Sequence, residues 1–202
     1  MDTLASKKTA DTDYPIHHLI ADRWSPRAFA DKPIPKAIIG GLLEAARWSA
    51  SSSNKQPWSF IIATQDDSEA FDKMLNVLKE GNQIWAKSAP LLMLAVAHHA
   101  DKNRIAMYDL GLAVQNITTQ ALSNDLYVHQ MGGIYRDKAE EIYYVPEEHS
   151  VVVAIAIGYL GDADTLPDNL KARELATRTR KPLSEFVFNG DWGDTADIAK
   201  KA

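Results

Sequence analysis

Two runs in this chain, APLLMLAVA at 89–97 and SVVVAIAIGYL at 150–160, are apolar at successive positions rather than at alternate ones. An alternating strand leaves one face to water, whereas an unbroken apolar run must be covered on both faces. A sheet with helices on either side follows from that. WSFIIAT at 58–64 is a third strand, short, aromatic and β-branched, and LYVHQ after the SND turn is a fourth.

The remaining stretches supply the covering layers. Ile38, Ile39, Leu42, Leu43 and Ala46 recur at helical spacing after Pro35, which predicts a helix ending near Trp48. Residues 66–88 read as helical in two pieces with a break at Gly81, and IYRDKAEEIY as a short helix after a tight MGG turn. Asn103–Ser123 is the longest helix. Ile105, Tyr108, Leu110, Leu112, Val114, Ile117, Ala121 and Leu122 cover nearly all its sides, so it belongs at the centre or in a subunit interface. From Asp162 the chain turns polar, helical at most around 168–176, and ends in RTRKPLSEFVF and NGDWG. Such a segment has no core of its own and reads as an arm, about 162–202, in which LSEFVF alternates enough to add a strand to a neighbouring sheet edge. With 1–14 as a loose lead and no linker or repeat beyond it, 15–202 is expected to be one α+β domain.

Composition narrows the chemistry. A chain of 202 residues, 46% hydrophobic and 24% charged, suits one ordinary globular domain. Its net charge of −5 argues against electrostatic nucleic-acid binding, which needs a basic face. Without cysteine there is no disulfide, thiolate nucleophile or cysteine-ligated metal, so any redox chemistry requires a bound cofactor. The first residues form no apolar run like that of a signal peptide, no transmembrane run occurs, and a cytoplasmic location is expected. The adjacent pairs His17–His18 and His98–His99 diverge and make no metal-binding helix face, Asp101 is expected to begin the next helix, and no Gly-x-Ser-x-Gly elbow occurs.

Four groupings carry possible chemistry. Arg23-x-Ser25-x-Arg27 places two guanidinium forks about a hydroxyl, a phosphate clamp or else a solvated turn paired with Asp22 and Asp31. The uncharged donors and acceptors of SASSSNKQPW at 49–58 can read the edge of a heteroaromatic ring, or simply connect. Gly132 and Gly133, after Met131, let backbone N–H groups approach a ligand, or make a plain turn. Arg178, Arg180 and Lys181 put three cations into four residues of an acidic chain. Together they suit a ligand with a phosphate at one end and a heteroaromatic ring at the other.

In this order the groupings resemble the nitroreductase family of FMN-dependent NAD(P)H oxidoreductases. Arg23-Trp-Ser25-Pro-Arg27 with Phe29 is similar to its phosphate-binding signature, and Ser51-Ser52-Ser53-Asn54-Lys55-Gln56-Pro57-Trp58 to its serine-rich loop. Met131-Gly132-Gly133 falls where the family has a glycine facing the flavin N5, and GYLG with the later Arg-x-Arg-Lys-Pro-Leu resembles its C-terminal end. The resemblance implies a mostly antiparallel sheet flanked by helices in an intertwined homodimer. Arg23, Ser25, Arg27, Arg178 and Arg180 would hold the FMN phosphate and ribityl chain, with Ser51, Ser52, Asn54 and Gln56 supplied by the other subunit. Asn82 would contact the pyrimidine edge, and a Gly133 or Gly132 N–H would bond N5. No lysine aligns at flavin N1 and O2, Lys87 being a bare candidate. The implied reaction is ping-pong hydride transfer from NAD(P)H to a nitroaromatic, quinone or free flavin. Non-turnover FMN binding, a different flavin chemistry such as fragmentation or dehalogenation, and a scaffold without cofactor are the alternatives.

Overall fold

The structure, a computed structural model, describes residues 8–98 and 104–200. In chain order the elements are α1 (His18–Ala21), α2 (Lys36–Arg47), β1 (Trp58–Thr64), α3 (Ser68–Leu75), α4 (Glu80–Ala86) and β2 (Leu91–His98), then α5 (Arg104–Leu122), β3 (Leu126–Met131), α6 (Arg136–Ile142), β4 (His149–Tyr159) and α7 (Asp168–Leu175). The expected helix origin at Asp101, and His99, lie outside the described residues.

The four strands form one sheet in the order β1-β2-β4-β3, every neighbouring pair antiparallel. The two apolar runs are its inner strands, covered on both faces. Along β2, Leu92, Leu94 and Val96 enter a cluster with Phe71, Met74, Trp85 and Met131. Leu91, Met93, Ala95 and Ala97 point the other way, into Leu42 of α2 and Leu110, Val114 and Ile117 of α5. α5 is therefore half of one covering layer, and the large apolar side chains it leaves open lie in its first turns, with Ile105 51% and Tyr108 65% exposed.

Two expectations fail, the first because tertiary pairing overrides local pattern and the second because the tail pairs locally with itself. The break between α3 and α4 falls at Asn76–Lys79, not at Gly81, which lies inside α4. Val77, Leu78 and Lys79 pair instead with the 133–135 segment: Tyr135 N–H donates to Val77 O at 2.8 Å, Leu78 bridges Ile134, and Lys79 N–H donates to Gly133 O at 2.9 Å. LSEFVF is no strand. It begins in a 3₁₀ turn at Leu183–Glu185, and Phe188 bridges Thr195 while Ala196 N–H donates to Val187 O at 3.1 Å. The tail thus closes on itself. Within the lead, Lys8 is 4% exposed.

Candidate functional site

Arg23–Phe29 is bolted to one end of the sheet. Phe29 bridges Leu160, and Gly161 N–H donates to Ala28 O at 2.9 Å. A Cβ on Gly161 would sit 2.5 Å from the Phe29 carbonyl carbon, so this close approach requires glycine. Below the turn His129 of β3 stacks on Trp85 at 4.4 Å, with its Nδ1 2.8 Å from Pro26 O. Burial pushes the His129 pKa down to about 4, with the backbone bond to Pro26 opposing and the nearby Arg27 and Arg23 adding to the depression. A neutral imidazole donating from Nδ1 satisfies that carbonyl.

Sequence reading missed the group that organises this turn. Glu174 of α7 is fully buried, and its carboxylate accepts the Arg27 N–H at 2.9 and 3.0 Å and the Ala28 N–H at 3.1 Å. The same carboxylate stands 3.9 Å from the Arg27 guanidinium. Arg27 therefore has Glu174 as its partner, not Asp22 or Asp31. Lys8, inserted beside Trp24 at 4.9 Å with its ammonium on Ala176 O, adds a second tie between the N-terminal segment and the tail.

Arg23 is different. Its Nη1 donates to Ser25 Oγ at 3.3 Å, and burial together with the charges of Arg178 and Arg180 draws its pKa below the ordinary arginine value. Three guanidinium groups from opposite ends of the chain thus face a cavity of about 730 Å³, whose other wall carries Tyr14, Ile16 and Phe186. Arg178 is partly committed, its Nη1 donating to the carbonyls of Lys8 and Ala21, the latter at 2.7 Å. Crowded cations with hydroxyl donors beside them form the donor set that a phosphate dianion takes.

On the same face, one strand-end away, lies the di-glycine turn. Gly133 O accepts from Lys79 N–H and from Asn82 Nδ2 at 3.0 Å, so Asn82 and Gly133 meet as a pair. These bonds use the carbonyl and leave the glycine N–H groups out of them. A second cavity, about 780 Å³, opens beside Gly132 between Lys79, Glu80 and Tyr135, the Tyr135 hydroxyl donating to Glu80 Oε1 at 2.7 Å.

The serine-rich loop stands elsewhere. It precedes β1 at the Trp58–Ala97–Ser150 end of the sheet, whereas His129 pairs with Ala156 and Phe29 with Leu160. Six residues of β4, roughly 20 Å at about 3.3 Å per residue, separate the two places. The loop is tied to α5 on the opposite face: Ser51 Oγ and Ser52 N–H donate to Asp109 at 2.8 and 2.9 Å. Within one chain, then, Arg23, Ser25, Arg27, Arg178 and Arg180 gather, Asn82, Gly132 and Gly133 gather, and Ser51, Ser52, Asn54 and Gln56 lie apart from both. Among the described residues no cluster of three or more histidine or acidic side chains could hold a metal, and no helix is long and apolar enough to cross a membrane.

An antiparallel sheet between helical layers, with a cationic cavity and a glycine turn on one face, defines an α+β protein with a ligand-sized, arginine-lined site. Residues 20–159 match the nitroreductase family, and the chain belongs to it. A crystal structure of an oxidoreductase containing FMN is 34% identical and superposes with a TM-score of 0.87, covering 96% of this chain and 100% of that one. An uncharacterized 15.4 kDa protein of Mycolicibacterium smegmatis is 31% identical over 129 residues, 62% of this chain and 86% of that protein. A Streptomyces coelicolor protein provisionally named as an NADH dehydrogenase/NAD(P)H nitroreductase is 35% identical over 81 residues, 40% of this chain and 39% of that protein's length.

Proposed function

We propose that this protein is an FMN-dependent oxidoreductase that moves a hydride from NAD(P)H to an electron-accepting small molecule such as a nitroaromatic, a quinone or free flavin. The observation that carries the reading is the convergence of Arg23 with Arg178 and Arg180, where burial and like charge leave a half-buried guanidinium in want of an anion. Family membership and the likeness to an FMN-containing oxidoreductase support the choice of anion.

Bound FMN supplies the hydride chemistry, so the chain needs no nucleophile. Arg23 and Arg180 would hold the phosphate with Ser25 beside them, while Arg27, paired with Glu174, would add a share of its charge to that anion. Arg178 adds charge while bracing the N-terminal segment. Asn82 fixes the glycine turn through the Gly133 carbonyl, and the Gly133 or Gly132 N–H would be the donor for a bound ring's N5. The cavity beside Gly132 has room for one planar partner of a bound flavin, so nicotinamide and acceptor would have to occupy it in turn, as a ping-pong cycle requires. Ser52, Asn54 and Gln56 of a second copy would read the ring edge, since the loop of the same chain lies on the other face of the sheet and across its width from the glycine turn.

Purified protein loaded with FMN and treated anaerobically with NADH or NADPH should lose its visible flavin bands and regain them on addition of a quinone. Bands that persist after NAD(P)H identify a binder without turnover, and protein that takes up no FMN refutes the reading.

A further inference from the structure

Four buried polar or charged side chains occur among the described residues: Lys8, Asp109, Thr118 and Glu174. Lys8 and Glu174 belong to the arginine turn, and Thr118 bonds its own helix at Val114 O. Asp109, 2% exposed on α5, has no part in any of that. Burying a carboxylate is costly unless its oxygens are hydrogen-bonded, so its donors indicate its purpose. Both come from the serine-rich loop: Ser51 Oγ at 2.8 Å and Ser52 N–H at 2.9 Å, each to Oδ2.

The loop has reason to need an anchor. Three of its residues, Ser53 at φ 52°, Asn54 at 54° and Gln56 at 49°, occupy the left-handed region that side chains disfavour. Ser52–Gln56 is exposed and joins no sheet ladder, so packing does not hold it. Besides its own turn bonds, Asn54 N–H to Ser51 O and Lys55 N–H to Ser52 O, what holds it is a chain of bonds beginning at Asp109. Ser51 Oγ, donating to Asp109, accepts the Gln56 N–H at 2.8 Å, and Gln56 Nε2 donates to Asn54 O and Oδ1, both at 3.0 Å.

We propose that Asp109 is a positioning residue that, through Ser51 and Ser52, fixes the strained 53–56 run so that Asn54 and Gln56 stand ready to meet the cofactor held by a second copy of the chain. Ser51 becomes a relay, its hydroxyl donating to Asp109 and accepting from Gln56, and the ligand-reading groups are Ser52, Asn54 and Gln56. The proposal rests on the FMN reading of the site.

Two readouts test it, amide exchange in the cofactor-free protein and FMN affinity by fluorescence titration. Asp109→Ala should speed exchange at Ser52 and Gln56 and weaken FMN binding about tenfold, the effect of one or two lost hydrogen bonds. Ser51→Ala, which leaves the core untouched, should do the same at Gln56. Asp109→Asn, which keeps an oxygen at the Oδ2 position, should restore both readouts to within a fewfold of the parent. Unchanged exchange, faster exchange with unchanged FMN affinity, or failure of asparagine to restore a folded protein each overturns the positioning role. Parent protein that binds no FMN sinks the functional reading instead, and the exchange arm still decides whether Asp109 holds the loop.

Discussion

At the scale of single residues, the two arginines of the Arg23–Phe29 turn divide by their partners. Arg27 is answered by Glu174 and Arg23 is not, so alanine at the two positions should differ in effect. Arg23→Ala and Arg180→Ala should each weaken FMN binding by about 10- to 100-fold, the range for a lost charge-assisted bond of about 1.5–3 kcal/mol, with little loss of stability. Glu174→Gln should act chiefly on stability, costing about 2–4 kcal/mol in denaturant titration, because two buried N–H groups and a guanidinium lose their carboxylate. The arginines were legible in the sequence because they cluster within a few positions. Glu174 was not, since its partner Arg27 is 147 residues away and nothing in NLKARELA distinguishes a buried glutamate from a solvated one. Asp109, 58 residues from Ser51 in an otherwise apolar helix, was hidden in the same way.

Elements were read well where their own side chains decide the outcome and poorly where another element does. The strands at 58–64, 91–98 and 149–159 follow from β-branched or unbroken apolar runs, and α2 from its apolar period. LSEFVF turns back on the next few residues of its own tail, whereas the α3–α4 break follows from backbone pairing with the distant 133–135 segment, which no local period encodes. The glycine turn is such a pairing, and it is tight: a Cβ on Gly133 would lie 2.6 Å from Asn82 Nδ2. Gly133→Ala should displace Asn82 and lower the rate of flavin reduction by NAD(P)H in stopped flow, while Gly132→Ala, with open space about it, should leave the fold intact. The contact between β3 and the arginine turn has a pH signature. His129 titrates at about 4 in the folded protein against 6.5 for a free histidine, so the unfolded state binds the extra proton between those values. Its contribution to stability is complete above pH 6.5 and is lost as the pH falls toward 4. A His129→Gln variant should show a shallower decline of melting temperature over that window.

For the whole molecule the decisive fact is where the sheet puts its three candidate ligand segments. The arginine and glycine turns share one face, and the serine-rich loop lies on the other, at the sheet end opposite the arginine turn and at the edge opposite the glycine turn. Their order along the chain pointed to one ligand. That one chain does not bring them together is visible only in three dimensions. The account therefore requires two copies per site, with the arginine turn of one and the loop of its partner, and it is tested most directly by subunit complementation. Arg23→Ala/Arg180→Ala chains and Ser52→Ala/Asn54→Ala chains, each unable to retain FMN alone, are unfolded, mixed in equal amounts and refolded together. Random pairing should restore flavin to about a quarter of the sites, since half the dimers are mixed and each mixed dimer has one intact site. No flavin in the mixture, with folded dimers present, would show that both segments act within one chain or not at all.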